Sequence, residues 1–184
     1  MEIIFSIVLI LCALLAGAAS PGPSFLLIVR IAMGTSRNDG IAASIGMGVG
    51  GVLFSILALL GLQAILTNIP ALYFTLRVLG GLYIIYLAIR IWRGASEPLS
   101  VSNENADGKV TLKKSFLIGL ITQISNPKTA IVYGSIFAAL LPANIPNIFF
   151  CVLPPLVFLV EAGWYLVVTL VLSSSSPRSA CRTA

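Results

Sequence analysis

Long apolar runs separated by short polar segments organise this chain. A spanning helix needs about 20 apolar residues, and five runs are long enough: 3–29, 40–66, 71–92, 115–141 and 148–172. The first two carry no charge. The third holds Arg77 and Arg90, the fourth only Lys128, and the fifth only Glu161. None shows the apolar–polar alternation of a membrane barrel strand. The pattern predicts an all-α, polytopic membrane protein with five transmembrane helices.

Two of the runs are interrupted. Ser20-Pro21-Gly22-Pro23-Ser24 falls in the first, and Ser125-Asn126-Pro127-Lys128-Thr129 falls in the fourth. Each puts helix-breaking chemistry where a spanning helix should continue. Lipid offers no hydrogen bonds to a freed carbonyl or N–H, so broken backbone must be buried in protein or line a polar cavity. Matched breaks in two halves of a chain point to a transport site. Two unrelated proline kinks are the alternative, and Pro154-Pro155 in the fifth run reads that way.

The distribution of charge gives the breaks a direction. The connections around 67–70 and 142–147 hold no Lys or Arg. Basic residues gather around the first connection (Arg30, Arg37), in the 93–114 segment, and in the tail (Arg178, Arg182). All but Arg77 and Lys128 fall on that side of the membrane. By the positive-inside rule it is cytoplasmic, which puts the N-terminus outside and the C-terminus inside. The first run then points inward and the fourth outward, so the breaks lie in antiparallel helices. The 93–114 segment is rich in Ser, Asn, Asp, Glu and Gly and reads as a flexible cytoplasmic linker. It divides one membrane domain, 1–184, into a three-helix repeat at 3–92 and an incomplete second repeat at 115–172, followed by a tail at 173–184. This is the layout of an inverted-topology repeat, with the site between the halves.

Composition agrees with this class. The 184 residues are 58% apolar and 9% charged, with a mean hydropathy of +1.05; soluble domains carry about 25% charged residues. The net charge of +5 is spread along membrane edges rather than over one face, so it argues for topology and against nucleic acid. There is no histidine, which weakens any imidazole-based metal or acid–base site. Cys12, Cys151 and Cys181 are too far apart in sequence for a CxxC pair or a zinc knuckle. That excludes a thiol-redox carrier, and the expected role of these residues is packing. The opening apolar run lacks a basic leader and continues past Pro23, so it reads as a retained span rather than a signal peptide. No polar cluster suggests an enzyme.

Lys128 and Glu161 lie near the middle of their spans, where a charge costs about 2.5–3.5 kcal/mol on insertion scales. One reading is a buried ion pair that locks the fourth and fifth helices together. The other makes Glu161 a proton carrier or a partner for a substrate ammonium, with Lys128 facing a substrate carboxylate. Ser125 and Asn126 can bond backbone groups freed by the break, and a half-helix N-terminus favours an anion. The expected substrate and ion pathway is therefore Ser20, Pro21, Gly22, Pro23, Ser125, Asn126, Pro127, Lys128 and Glu161. Arg77 is expected to snorkel to the outer interface, and Tyr73 and Trp92 to anchor span ends. Gly46, Gly50 and Gly51, with Gly80-Gly81, read as close-packing stripes.

These motifs carry a resemblance. Ala19-Ser20-Pro21-Gly22-Pro23-Ser24, Arg37-Asn38-Asp39-Gly40 with Gly46 and Gly50, and the stretch from Leu79-Gly80-Gly81 to Tyr86-Leu87 come in order. Phe116-Leu117-Ile118-Gly119-Leu120 leading into Ser125-Asn126-Pro127-Lys128-Thr129-Ala130, and then Glu161-Ala162-Gly163-Trp164, complete the series. Together they resemble the lysine exporter (LysE/RhtB) family of bacterial amino-acid exporters over about residues 3–172. The resemblance implies secondary, proton-linked efflux of amino acids or close derivatives across the bacterial inner membrane. It implies no cofactor beyond the proton gradient, a bilayer setting with the N-terminus periplasmic, and a homodimer. The family pattern has six spanning helices and this chain reads as five, with no apolar run after Leu172. That predicts a C-terminally truncated product, and its alternative function is a non-transporting remnant or a subunit needing a partner helix.

Overall fold

A computed structural model describes residues 2–68, 70–94, 111–142 and 144–174. Seven helices follow one another among them: α1 (Glu2–Ala19), α2 (Pro23–Gly34), α3 (Arg37–Asn68), α4 (Pro70–Gly94), α5 (Leu112–Ile124), α6 (Pro127–Leu140) and α7 (Asn147–Ser174). Five runs become seven helices because each break divides its run, into α1 and α2 and into α5 and α6. The chain is an all-α, polytopic membrane protein. Helices α1, α3 and α7 are each long and apolar enough to cross a membrane unaided.

Proline sets the restarts. Pro23 and Pro127 stand in the first turns of α2 and α6, where a missing N–H leaves no bond unmade. Pro154 and Pro155 sit inside α7 without dividing it. One expectation needs correction. The restart at Pro23 carries helix on to Gly34, so Arg30 lies within α2 and only Thr35 and Ser36 separate α2 from α3. The ends of the expected linker at 93–114 belong to α4 and α5, and the first two residues of the expected tail at 173–184 belong to α7; residues 95–110 and 175–184 and the side chains of Tyr73, Arg77 and Trp92 lie outside the described residues.

Large apolar side chains are divided between core and lipid. Ile10, Leu14, Leu59, Tyr133, Phe137 and Leu153 are among those buried where α1, α3, α6 and α7 meet. A second cluster, including Ala18, Ile28, Met47 and Tyr165, joins α1, α2, α3 and α7. Ile4, Phe5, Leu57, Phe74 and Leu159 are each more than 60% exposed. Soluble monomers rarely show so much apolar surface, whereas a bilayer covers it.

Helix α3 packs chiefly against α5 and α7, and glycines allow the approach. A Cβ at Gly46 would collide with the Phe116 carbonyl of α5, and one at Gly119 with the Ala43 carbonyl of α3. Gly48 faces Phe158 and Ala162 of α7. Gly80 meets the Ser135 backbone of α6, but nothing stands within 4 Å of Gly81's absent Cβ. Of the Gly80-Gly81 pair, only Gly80 makes the expected close contact. Polar bonds tie the ends of the same helices. Asp39, buried in the first turn of α3, accepts from Ser36 Oγ at 2.6 Å and from Ser115 Oγ of α5 at 2.9 Å. The Ser44 and Thr169 hydroxyls of α3 and α7 lie 3.3 Å apart.

Backbone cannot rotate away as a side chain can, so crowding at these glycines must separate α3 from α5. Gly46→Ala and Gly119→Ala are expected to destabilise the protein by at least the ~1–3 kcal/mol of core overpacking. Gly61→Ala and Gly134→Ala, with nothing within 4 Å, should be near neutral. Thermal unfolding in detergent, followed by size-exclusion profile, checks the contrast.

Candidate functional site: a polar cavity between the two breaks

The first break frees the carbonyl end of α1. Ser20 N–H still donates to Ala16 O at 3.1 Å, and helix resumes when Leu26 N–H donates to Gly22 O at 2.9 Å. Gly22 caps α2 in an extended conformation that any residue could adopt (φ −168°, ψ 179°). Glycine leaves room for a neighbour instead: an added Cβ would stand 3.1 Å from Cδ and 3.2 Å from Nζ of Lys128.

The second break ends α5 with Ser125 N–H donating to Ile121 O at 2.8 Å. Asn126 then performs two tasks. Its Oδ1 accepts from Lys128 N–H at 3.0 Å, capping α6, and its Nδ2 donates to Ser24 Oγ of α2 at 2.9 Å. Ser or Asp could supply the cap, but neither offers the amide donor.

From Ser24 a buried network continues inward. Ser24 Oγ donates to Gln123 Oε1 at 2.8 Å, Gln123 Nε2 donates to Glu161 Oε2 at 3.2 Å, and Tyr133 OH donates to Glu161 Oε1 at 3.0 Å. Side chains of α2, α5, α6 and α7 are thus joined through one carboxylate. Glu161 is only 3% exposed, and an ionised carboxylate there requires such donors. Helix α3 gives the network its back wall. A Cβ at Gly51 would stand 2.8 Å from Tyr133 OH and 3.1 Å from Glu161 Cγ, and one at Gly50 2.8 Å from Gln123.

Lys128 leaves α6 and crosses to the first break. Its Nζ donates to Gly17 O at 3.1 Å and Ser20 O at 2.8 Å. A cation is thereby held on the negative end of the α1 dipole. The hydrogen bonds of Lys128 and those of Glu161 run to different partners, yet both residues line one cavity between the breaks. The cavity measures about 20 Å³, about the room one water needs. A wider groove of about 450 Å³ between α3, α4 and α6 is lined by residues such as Leu57, Leu76, Tyr83 and Ile131 and bears no charge.

Of the residues expected from sequence, Ser20, Gly22, Asn126, Lys128 and Glu161 line the polar cavity. Pro21, Pro23, Ser125 and Pro127 are exposed and shape the breaks without lining it. Sequence reasoning left out Ser24, Gln123, Thr129, Tyr133 and Tyr165, which also line it. Spacing offered a signal for two of them: Tyr165 stands one helical turn after Glu161, and Gln123 lies just before the second break. Trp164 packs against the Ala18–Met47 cluster, and its buried indole N–H has no acceptor among the described residues.

The family model described as LysE type translocator matches residues 15–184. The chain belongs to the LysE type translocator family. It is 30% identical over 162 residues to a membrane protein of Haemophilus influenzae, covering 86% of this chain and 77% of the relative. It is 30% identical over 150 residues to the threonine efflux protein of Escherichia coli K12, covering 81% and 73%. A leucine efflux protein of an Enterobacter strain is 27% identical over 128 residues, covering 69% and 59%. No solved structure matches. The chain is therefore a multi-pass membrane transporter rather than an enzyme.

Asn126→Ala removes both a cap and an interhelical donor. It should destabilise the protein by about 1–3 kcal/mol, while Asn126→Asp retains the cap but loses the donor to Ser24 and buries a carboxylate at a position only 4% exposed. Tyr133→Phe should lose about 1.5–3 kcal/mol, the range for a hydrogen bond to a charged group. Denaturation in detergent measures all three variants against wild type.

Proposed function

We propose that the chain exports amino acids or close derivatives across the bacterial inner membrane, coupled to proton movement, with the polar cavity between the breaks as its pathway. The observation that carries this reading is the continuous network from Asn126 through Ser24 and Gln123 to Glu161. It joins both broken helices to one buried carboxylate. The threonine and leucine efflux relatives support the cargo.

The site has the polarity an amino acid needs. The carbonyl end of α1 favours a cation, and the N-termini of α2 and α6 favour a carboxylate. Glu161 is a titratable group held among movable donors, suited to take up and release a proton as helices shift. The side carrying most of the basic residues is cytoplasmic in this reading, with the N-terminus periplasmic. The breaks then lie in antiparallel helices that open two repeats, and the pathway passes between them. The homodimer implied by the family belongs to the same proposal.

Cells without their own threonine exporters should release preloaded threonine faster when they express the chain. Glu161→Gln and Lys128→Met should each slow that release by tenfold or more, about the loss when a buried charged partner is removed. Wild-type release should fall on adding a protonophore. Release no faster than from empty cells would favour a non-transporting membrane protein, and full activity in both variants would remove the two charges from the mechanism.

A further inference from the structure

The Lys128 ammonium occupies a small site made of backbone. Gly17 O and Ser20 O converge on it at 3.1 and 2.8 Å, and both residues are buried. A helix ordinarily leaves its last carbonyls to water or a cap. Here one of them, Gly17 O, and the Ser20 carbonyl just past the helix end face a charged group delivered from a helix more than a hundred residues away. Gly22 keeps the approach clear, since a side chain there would press on the lysine stem.

An amino acid's ammonium offers the same three donors and the same charge as a lysine ammonium. The cavity of about 20 Å³ is far below the 300–1,000 Å³ of ordinary small-molecule sites. Something must leave before an amino acid enters. Lys128 is half-buried, flexible along four methylenes, and already bonded to the atoms an incoming ammonium would need.

We propose that the carbonyls of Gly17 and Ser20 form a primary-ammonium subsite, which Lys128 holds in the closed arrangement and yields to the ammonium of the cargo. Lys128 then moves to the cargo's carboxylate, beside the N-terminus of α6. Each charge exchanges one partner for another, so neither is left bare in the low-dielectric interior. This rests on the amino-acid reading above for its cargo, while the subsite itself rests on the carbonyl geometry.

The test empties the subsite and offers it a free ammonium. Purified Lys128→Ala chain is melted in detergent with methylammonium chloride or, at matched ionic strength, tetramethylammonium chloride, which has no N–H. Methylammonium should raise the melting temperature of the variant by a few degrees over tetramethylammonium, and the wild type should not distinguish them. Equal melting of the variant in both salts overturns the subsite.

A measurement on the wild type stands in if Lys128→Ala does not fold. Threonine should increase labelling of Lys128 relative to Lys113 by an amine-reactive reagent, read by mass spectrometry as a ratio because threonine consumes reagent, and 3-hydroxybutyrate, which lacks the ammonium, should not. Equal labelling overturns the exchange. Methylammonium protection without threonine efflux upholds the subsite and removes its amino-acid cargo. Efflux without either effect keeps the exporter and removes the subsite.

Discussion

A backbone group in lipid has no water to fall back on, and this chain opens its backbone twice in the middle of apolar runs. The two openings answer each other. Lys128, from the second, satisfies two carbonyls of the first. Asn126 caps its own helix and reaches Ser24 beyond the first break. The first break is closed by a side chain from the second, and the residue that caps the second is tied to Ser24 beside the first. The polar cavity is therefore a consequence of folding two broken helices side by side in a medium that tolerates neither separately.

That arrangement needs a wall that approaches closely without side chains of its own, and α3 supplies it. Gly46 admits the α5 backbone, Gly48 admits α7, and Gly50 and Gly51 admit Gln123, Tyr133 and Glu161. A small-residue stripe in a membrane helix ordinarily signals van der Waals packing. Here the same stripe also sets how deeply a carboxylate and its donors can be buried. Packing and site chemistry are one constraint on this helix, so changing Gly51 would act on Glu161 without touching it chemically.

The spans, the breaks and the two deep charges were legible in the sequence, because each departs from the pattern a uniform lipid environment requires. A proline or a lysine in an apolar run is conspicuous on its own. The bonding partners of Gln123 and Tyr133 were not legible. Their importance lies in bonds to Glu161, 38 and 28 positions away, and a single sequence does not reveal which distant residues meet. Ser24 was hidden in the same way, since it reads as part of the first break until Gln123 is placed 99 positions along the chain. Helix limits were blurred for a local reason: Arg30 looked like loop because it is charged, yet the proline restart gives α2 enough length to enclose it.

The breaks also explain how so small a cavity can belong to a transporter. Four short helix ends meet there, and their bonds are mostly to side chains: an amide, a hydroxyl, an ammonium and a carboxylate. Side-chain bonds can be exchanged with a cargo carrying the same groups, whereas the helical ladder on either side stays intact. The tight glycine contacts of α3 with α5 and the Asp39–Ser115 bond hold the halves together outside the cavity. Hydrogen bonds at the cavity can thus be traded between side chains without stranding a backbone group in lipid, which the helical ladder on either side does not allow.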